Sequence, residues 1–319
     1  MVIKYMKKIS LCIPCYNEED NIINTYITIK KVLSKNKKYK YEYIFVDNGS
    51  LDKSGELIRR LARNDNSVKG IFLSKNFGPE ASGKAAFDYA TGDAVIAIGC
   101  DLQDPPELIQ KFIKEWEKGS DVVMGVYIKN EDNPIMKIIK NSFYNFFNLI
   151  SKTQIPPNAT GFGLYDKKII IALKTLPEKY RFERGLLSWV GYKKTFISYQ
   201  RRKRLFGKSS YSFFDYVKHA EKGIFGFSYL PLDAMVYGGF LLTMFSFLFI
   251  LGYLYWVIVF GNPINASIPL LLAIVFFGGL SLLGISVIGK YIQVIVEETK
   301  NRPMYIVEET VNLNVKINN

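Results

Sequence analysis

The chain has 319 residues, a net charge of +13, 49% hydrophobic and 15% aromatic content. That length admits one large domain or two smaller ones, and the apolar content is high for a purely soluble protein. Three cysteines and a sole histidine, His219, exclude a disulfide framework and leave the lone Cys12-x-x-Cys15 pair without the partners a zinc site needs. We read Cys12 and Cys15 as strand-end core residues in a reducing compartment. The basic balance suits an anionic membrane surface or a phosphate-bearing substrate, and no nucleic-acid partner is expected.

Lys8 to Pro14 reads as a buried strand preceded by a short basic stretch without signal-peptide character. Asp20 to Ser34 has helical spacing, with Ile22, Ile23, Tyr26, Ile29, Val32 and Leu33 on one face. Tyr41 to Val46 is a second strand, ending in Asp47-Asn48-Gly49-Ser50, and Lys53 to Arg63 a helix. Val68 to Leu73 is a third strand, closed by Asn76-Phe77-Gly78, with a helix over Pro79 to Ala90. Asp93 to Ile98 is a fourth strand, Pro106 to Lys118 a helix and Asp121 to Tyr127 a further strand. This alternation predicts an α/β fold with a parallel, doubly wound sheet. Polar clusters follow successive strands at one edge, where such sheets bind ligands. No glycine-rich dinucleotide fingerprint follows the first strand, and Ser82-Gly83-Lys84 lacks the glycines of a Walker loop.

Past the fourth strand lie Asp101, Gln103 and Asp104. Two readings stand side by side. Hard oxygen ligands at this spacing suit Mg²⁺ or Mn²⁺; Asp before Pro-Pro-Glu is also ordinary helix-capping chemistry.

Pro134 to Ser151 and Tyr211 to Phe227 each interleave apolar residues with lysines, as interfacial helices do; packing on the sheet would give the first of them the same spacing. Ala234 to Phe260 and Ala266 to Gly289 contain no charged residue, and each is long enough to cross a bilayer core of about 20 residues. The loop between them has no Lys or Arg, whereas the outer flanks are basic. By the positive-inside rule both ends of this hairpin are expected in the cytoplasm, as a multi-pass protein of the plasma membrane. The domains expected are residues 1–228 as a catalytic unit, 229–290 as the membrane hairpin and 291–319 as a cytoplasmic tail.

Several motifs occur in one order: Pro14-Cys15-Tyr16-Asn17-Glu18-Glu19, Asp47-Asn48-Gly49-Ser50, Asn76-Phe77-Gly78, Ala90-Thr91-Gly92-Asp93 and Asp101-Leu102-Gln103-Asp104-Pro105-Pro106-Glu107. The order and spacing resemble the family-two glycosyltransferases of GT-A fold, a mixed α/β sheet. Tyr199-x-Arg201-x-x-Arg204-x-x-Gly207-Lys208-Ser209-x-Tyr211, the two spans and Glu298 to Tyr305 narrow the resemblance to the polyprenyl-phosphate glycosyltransferases, which include dolichol-phosphate mannose synthases and bactoprenol glucosyltransferases. The resemblance covers residues 8 to 310.

It implies inverting transfer of a sugar from a nucleotide-sugar, UDP-linked, to polyprenyl (undecaprenyl) phosphate, supplying a lipid-linked sugar for cell-surface glycans. Pro14, Tyr16, Asn17, Glu18, Asp47, Asn76 and Asp101 match nucleotide-binding positions; Asp101 and Gln103 match metal ligands. Arg201, Lys203, Arg204 and Lys208 are assigned to the lipid phosphate, Arg202 to lipid headgroups, and Asp101, Asp104, Arg201 and Arg204 to catalysis. A homo-oligomer, a tetramer, is among the expectations. Three departures stand out. Gly99 replaces the first Asp of Asp-x-Asp, Gly161-Phe162-Gly163 stands where many relatives have Asp-Phe-Arg, and Ser209-Ser210-Tyr211 replaces Ser-Lys-Tyr, with Lys208 in the lysine's place. A hydroxyl acceptor would need another base, Asp166 or Asp104. A phosphate monoester, with its second pKa of about 6, is already a dianionic nucleophile. A polysaccharide synthase and a non-catalytic membrane scaffold are the competing classes; the first lacks its Gln-x-x-Arg-Trp run here, and Gly99 and Gly161 motivate the second.

Overall fold

The computed structural model describes residues 6–128, 158–179, 181, 183–202, 221–226, 228–261 and 267–313. The expected interfacial helix at 134–151, most of that at 211–227, and Lys203, Arg204, Lys208 and His219 lie outside the described residues.

The described strands are β1 Lys8–Cys15, β2 Lys40–Asp47, β3 Val68–Leu73, β4 Ala94–Ala97, β5 Val122–Ile128, β6 Ala159–Asp166, β7 Lys194–Gln200 and β8 Val307–Val311. They form one sheet in the order β7-β5-β6-β4-β1-β2-β3-β8. The central β4-β1-β2-β3 block is parallel. β6 and β8 run antiparallel to their neighbours, which makes the sheet mixed. The reversal of strand order on either side of β1 creates the crevice at the carboxyl edge where α/β proteins take ligands.

Both faces are covered. Strand residues alternate between two cores, as the period of two requires. Leu11, Ile13 and Cys15 pack under α1 (Ile22–Leu33), α2 (Ser54–Asn64) and α4 (Ile109–Glu117) through Ile29, Ile58 and Phe112. Cys12 faces the other side, with α3 (Pro79–Tyr89), α5 (Lys167–Thr175) and α6 (Glu183–Trp189) contributing Ala85, Ile169 and Leu186. Cys12 and Cys15 therefore belong to opposite cores, and burial pushes both thiols up. They are core residues, as the sequence predicts.

Two long helices follow, α7 Leu230–Phe260 and α8 Ser267–Thr299. At 31 and 33 residues they measure about 46 and 50 Å at 1.5 Å per residue, beyond the roughly 30 Å bilayer core. α7 buries none of its side chains, unlike the helices that cover the sheet. The two run antiparallel: the Tyr291 hydroxyl donates to the Ser228 carbonyl at 2.7 Å, and a Cβ on Gly284 would lie 3.1 Å from Met235 Cε.

The stretch expected as a cytoplasmic tail, 291–319, contains ordered elements. α8 continues to Thr299, and Val307–Val311 then returns as β8 against β3. Arg59 on α2 donates to Glu309 of that strand, from Nε at 2.9 Å and Nη2 at 2.6 Å. The chain thus leaves the sheet into α7 and comes back to it from α8.

Candidate active site

At the carboxyl edge, the loops after β1 and β2 are zipped together. Asn17 takes a left-handed turn at φ 53, which Asn tolerates better than most residues. Its backbone N–H donates to Ser50 Oγ at 2.9 Å, and its Oδ1 accepts from the Leu51 N–H at 2.9 Å. The Glu18 N–H donates to Ser54 Oγ at 2.8 Å, and Glu18 Oε2 accepts from Asn21 Nδ2 at 2.6 Å. Asp47, the last residue of β2, is buried and accepts from the Ser50 N–H at 3.0 Å. Pro14 and Tyr16 are half-buried beside them. Five of the residues assigned to the nucleotide thus share this corner.

The hub of the corner is Asn48, which the sequence shows only as part of a motif. Its N–H donates to the Cys15 carbonyl at 2.9 Å, and its Nδ2 to Asn76 Oδ1 at 3.0 Å and the Gly78 carbonyl at 3.1 Å. Its Oδ1 accepts from the Phe77 N–H at 3.0 Å. Asn76 Oδ1 is held twice, by Asn48 and by the Gly78 N–H at 2.8 Å, so Asn76 shapes the loop with that atom. Gly49 is required here: φ is +70, and a Cβ would come within 2.4 Å of the Lys75 carbonyl carbon.

The loop after β4 is pinned on both sides. The Ile98 N–H donates to the Cys12 carbonyl at 3.0 Å, and Thr25 Oγ1 on α1 to the Cys100 carbonyl at 2.6 Å. Leu102 turns the chain at φ 52 and buries its side chain. Asp101 and Gln103 remain partly exposed, and Asp101 Oδ1 accepts from the Gln103 N–H at 3.2 Å. A carboxylate and an amide on one tight turn offer hard oxygen donors of the kind that suit Mg²⁺ or Mn²⁺. A Cβ on Gly99 would meet only Asp101, 3.2 Å from Oδ1, a tight approach to which the Asp101 side chain would have to yield.

Asp104 is not beside these two as a third open ligand. It is buried and accepts from the Tyr199 hydroxyl at 2.5 Å, with Arg201 Nε 3.5 Å from the same oxygen. Burial pushes its carboxyl up, and the contacts to Tyr199 and Arg201 pull against that. The Arg202 N–H donates to the Gln103 carbonyl at 2.8 Å, and its guanidinium pairs with Glu107 at 3.1 Å. The end of β7 is therefore fastened along the Gln103–Glu107 loop. Arg201 enters the candidate site, whereas Arg202, assigned to lipid headgroups, is engaged by Glu107. Tyr199, which the sequence flags only as a motif member, is the residue whose hydroxyl fastens β7 to Asp104.

Asp166 cannot be the acceptor base. β6 runs antiparallel, so Asp166 pairs with Ala94 at the amino end of β4, the opposite edge of the sheet. There it caps α5 through the Lys168 N–H at 3.0 Å and accepts from Trp116 Nε1 at 2.7 Å. The two glycines around Phe162 also differ. A Cβ on Gly161 meets nothing, while one on Gly163 would come within 2.5 Å of the Val123 carbonyl oxygen. The β5–β6 approach excludes any side chain at 163 without a backbone shift.

The mixed α/β sheet with its loops gathered at the carboxyl edge is a GT-A-like fold. Residues 10–173 match the Glycosyl transferase family 2 profile. The chain is 36% identical to "Uncharacterized glycosyltransferase sll0501" of Synechocystis over 95% of each chain. It is 37% identical to "SfII prophage-derived bactoprenol glucosyl transferase" of Shigella flexneri, over 95% of this chain and 98% of that one. Against "Prophage bactoprenol glucosyl transferase homolog" of Escherichia coli K12 it is 35% identical over 94% and 98%. Among solved structures, glucosyl-3-phosphoglycerate synthase from Mycobacterium tuberculosis with Mn²⁺ and UDP aligns over 69% of this chain and 78% of that one, at 16% identity and a TM-score of 0.43. The chain belongs to glycosyl transferase family 2 and is a glycosyltransferase.

Proposed function

We propose that this enzyme transfers a sugar, with inversion, from a UDP-sugar to polyprenyl phosphate at the cytoplasmic face of the membrane. The observation that carries the reading is Arg201 held 3.5 Å from Asp104, on the loop that presents Asp101 and Gln103. A donor diphosphate and an acceptor phosphate repel each other, and a guanidinium at this loop offsets that repulsion with bidentate geometry. The Shigella and E. coli relatives named as bactoprenol glucosyl transferases support a lipid phosphate as acceptor.

Pro14, Tyr16, Asn17, Glu18 and Asp47 hold the base and ribose, with Asp47 accepting from donor N–H or hydroxyl groups. Asp101 and Gln103 hold Mg²⁺ or Mn²⁺, which supplies Lewis-acid stabilisation of the leaving diphosphate. Arg201 positions the acceptor, and Lys203, Arg204 and Lys208 are assigned to the same phosphate from the sequence. The acceptor's phosphate oxygen forms a bond to the anomeric carbon as the bond from that carbon to the UDP oxygen breaks; one displacement inverts the centre. The nucleophile is already anionic and no proton has to be removed, which fits Gly161 and the remote Asp166. Asp104 acts as a positioning residue for Arg201 in this scheme.

Both hairpin ends return to one sheet, which fits two crossings, and the basic flanks fit a cytoplasmic catalytic unit. The test is transfer of label from a panel of UDP-sugars, with GDP-mannose as control, to undecaprenyl phosphate by detergent-purified protein. A labelled lipid that disappears with EDTA and in Asp101→Asn is the expected result. No product with any donor and no metal-dependent UDP binding would overturn the enzyme reading; UDP binding without lipid product would move the acceptor elsewhere.

A further inference from the structure

Where α8 meets the catalytic sheet, a cavity of about 190 Å³ opens between the start of α3 and the segment leading into β8. Its walls include Phe77, Lys179, Lys222, Lys300, Arg302 and Met304. Four cations face two carboxylates there, Glu80 and Glu297. Lys222 pairs with Glu80 at 2.5 Å and Lys300 with Glu297 at 2.8 Å, while Lys179 Nζ reaches the Asn301 side chain at 3.2 Å and the Arg302 carbonyl at 3.1 Å. With Glu298 at the same joint, cations exceed carboxylates by one among the described residues. The joint is rigidly made: the Lys179 N–H donates to both Glu298 oxygens, at 2.9 and 3.0 Å, from the last turns of α8.

Size and surroundings narrow what this cavity takes. It is below the roughly 300–1,000 Å³ of sites for drug-sized ligands, which suits a headgroup better than a nucleotide-sugar. On α8, Ile292, Ile295 and Val296 are exposed, and Lys300 lies one turn beyond Val296, on the same face. An apolar stripe thus leads from the bilayer span straight to the cations. The pocket sits off β3 and β8, whereas Arg201 leaves β7 near the other rim. Six strand spacings separate β3 from β7, about 29 Å at 4.8 Å each. One phosphate does not serve both places.

We propose that this cavity binds the phosphodiester headgroup of an anionic bilayer phospholipid, its acyl chain lying along Ile292, Ile295 and Val296 of α8. The site fixes the catalytic sheet against the membrane surface, and it is distinct from the acceptor site. Phosphate geometry suits Arg302 and the three lysines.

The test uses the full chain in detergent. Phosphatidylglycerol, phosphatidylcholine, undecaprenyl phosphate and inorganic phosphate are added separately, and bound lipid is counted by native mass spectrometry. Retention of phosphatidylglycerol but not phosphatidylcholine is expected, with apparent affinity weakened about tenfold or more in Lys300→Ser/Arg302→Ser and kept in Lys300→Arg/Arg302→Lys. Should the neutral double variant fail to fold, the exposed Arg302→Ser alone is compared with Arg302→Lys. Equal retention of the two phospholipids, or equal loss in neutral and charge-keeping variants, overturns the proposal. Binding of undecaprenyl phosphate in place of phosphatidylglycerol would overturn it in favour of the acceptor, and displacement by inorganic phosphate alone would reduce the site to an adventitious ion only.

Discussion

The Tyr199 hydroxyl donates to Asp104 Oδ1 at 2.5 Å across 95 residues of sequence. That bond joins the end of β7 to the loop that carries Asp101 and Gln103. Tyr199 is itself locked in the core, its ring 5.9 Å from Phe162 and edge-on, with its hydroxyl 3.4 Å from Thr160 Oγ1. A rigid phenol thus holds a buried carboxylate, and the carboxylate holds Arg201.

Tyr199→Phe keeps the ring and removes only the donor. A buried charged acceptor left without it costs about 1–3 kcal/mol. The expected outcome is a folded protein in which Arg201 is no longer fixed. The half-saturating concentration of lipid phosphate should rise more than that of the UDP-sugar. Steady-state kinetics with each substrate varied in turn checks this; equal effects on both substrates would remove the clamp from the acceptor side.

Gly99→Asp tests the crowded position beside Asp101. The added Cβ meets a side-chain oxygen at 3.2 Å, and a half-buried carboxylate can turn away from it. A second carboxylate on the turn strengthens a hard-cation site. The half-saturating Mn²⁺ or Mg²⁺ concentration should fall by about tenfold, equivalent to about 1.4 kcal/mol, in a metal titration of UDP binding. No change would mean that residue 99 does not face the ion. Gly163→Arg, by contrast, should destabilise the fold, because the Val123 carbonyl fills that space.

The parallel half of the sheet was legible because β1 to β4 are apolar runs closed by polar clusters, and α1, α2 and α4 show one buried stripe each. The rest was hidden for physical reasons. β6 contains Gly161 and Gly163, which weaken any strand signal, and β7 buries only Tyr199 of its seven residues. β8 is a five-residue edge strand with Glu308 and Glu309, the kind of edge that charge normally protects. The acid Asp166 looks like its neighbours in sequence; only the direction of β6 sends it to the wrong edge. Asn48 and Tyr199 owe their roles to partners far along the chain, which spacing cannot reveal.

Glu42 offers a pH test away from the site. It is buried within β2. Burial alone would raise its carboxyl, but hydrogen bonds from Lys69, Ser10 and Thr91 outweigh that and hold it at about 2. Ser10 Oγ lies 2.5 Å from Oε1, and Lys69 and Lys8 both pair with it. Because the folded value lies below the unfolded one of about 4.3, the contribution is complete above that pH and is lost as pH falls towards 2. Glu42→Gln should be less stable than wild type at pH 7, and its stability should decline less between about pH 4.3 and 2. Unfolding curves at several pH values compare the two; parallel declines would exclude Glu42 as the titrating group.

Deleting residues 307–319 tests whether the strand after α8 belongs to the catalytic fold. β8 covers the edge of β3 along Gly70 to Leu73, and the Asn312 side chain donates to the Ala62 carbonyl at 2.6 Å and the Val68 carbonyl at 2.9 Å. Without it, β3 presents an unpaired edge and Arg59 loses Glu309. The ion pair alone is partly exposed, 38% and 42% at its two side chains, and such pairs contribute about 1 kcal/mol or less. Arg59 also stacks over the Phe72 ring at 4.1 Å, so Arg59→Ala should lower the melting temperature modestly, by about 2–4 °C per kcal/mol lost. The deletion should lower it further and promote edge-to-edge aggregation. A deletion that melts like wild type and stays monodisperse would mean that β3 does not depend on β8, and the hairpin's return to the sheet would then carry no structural weight.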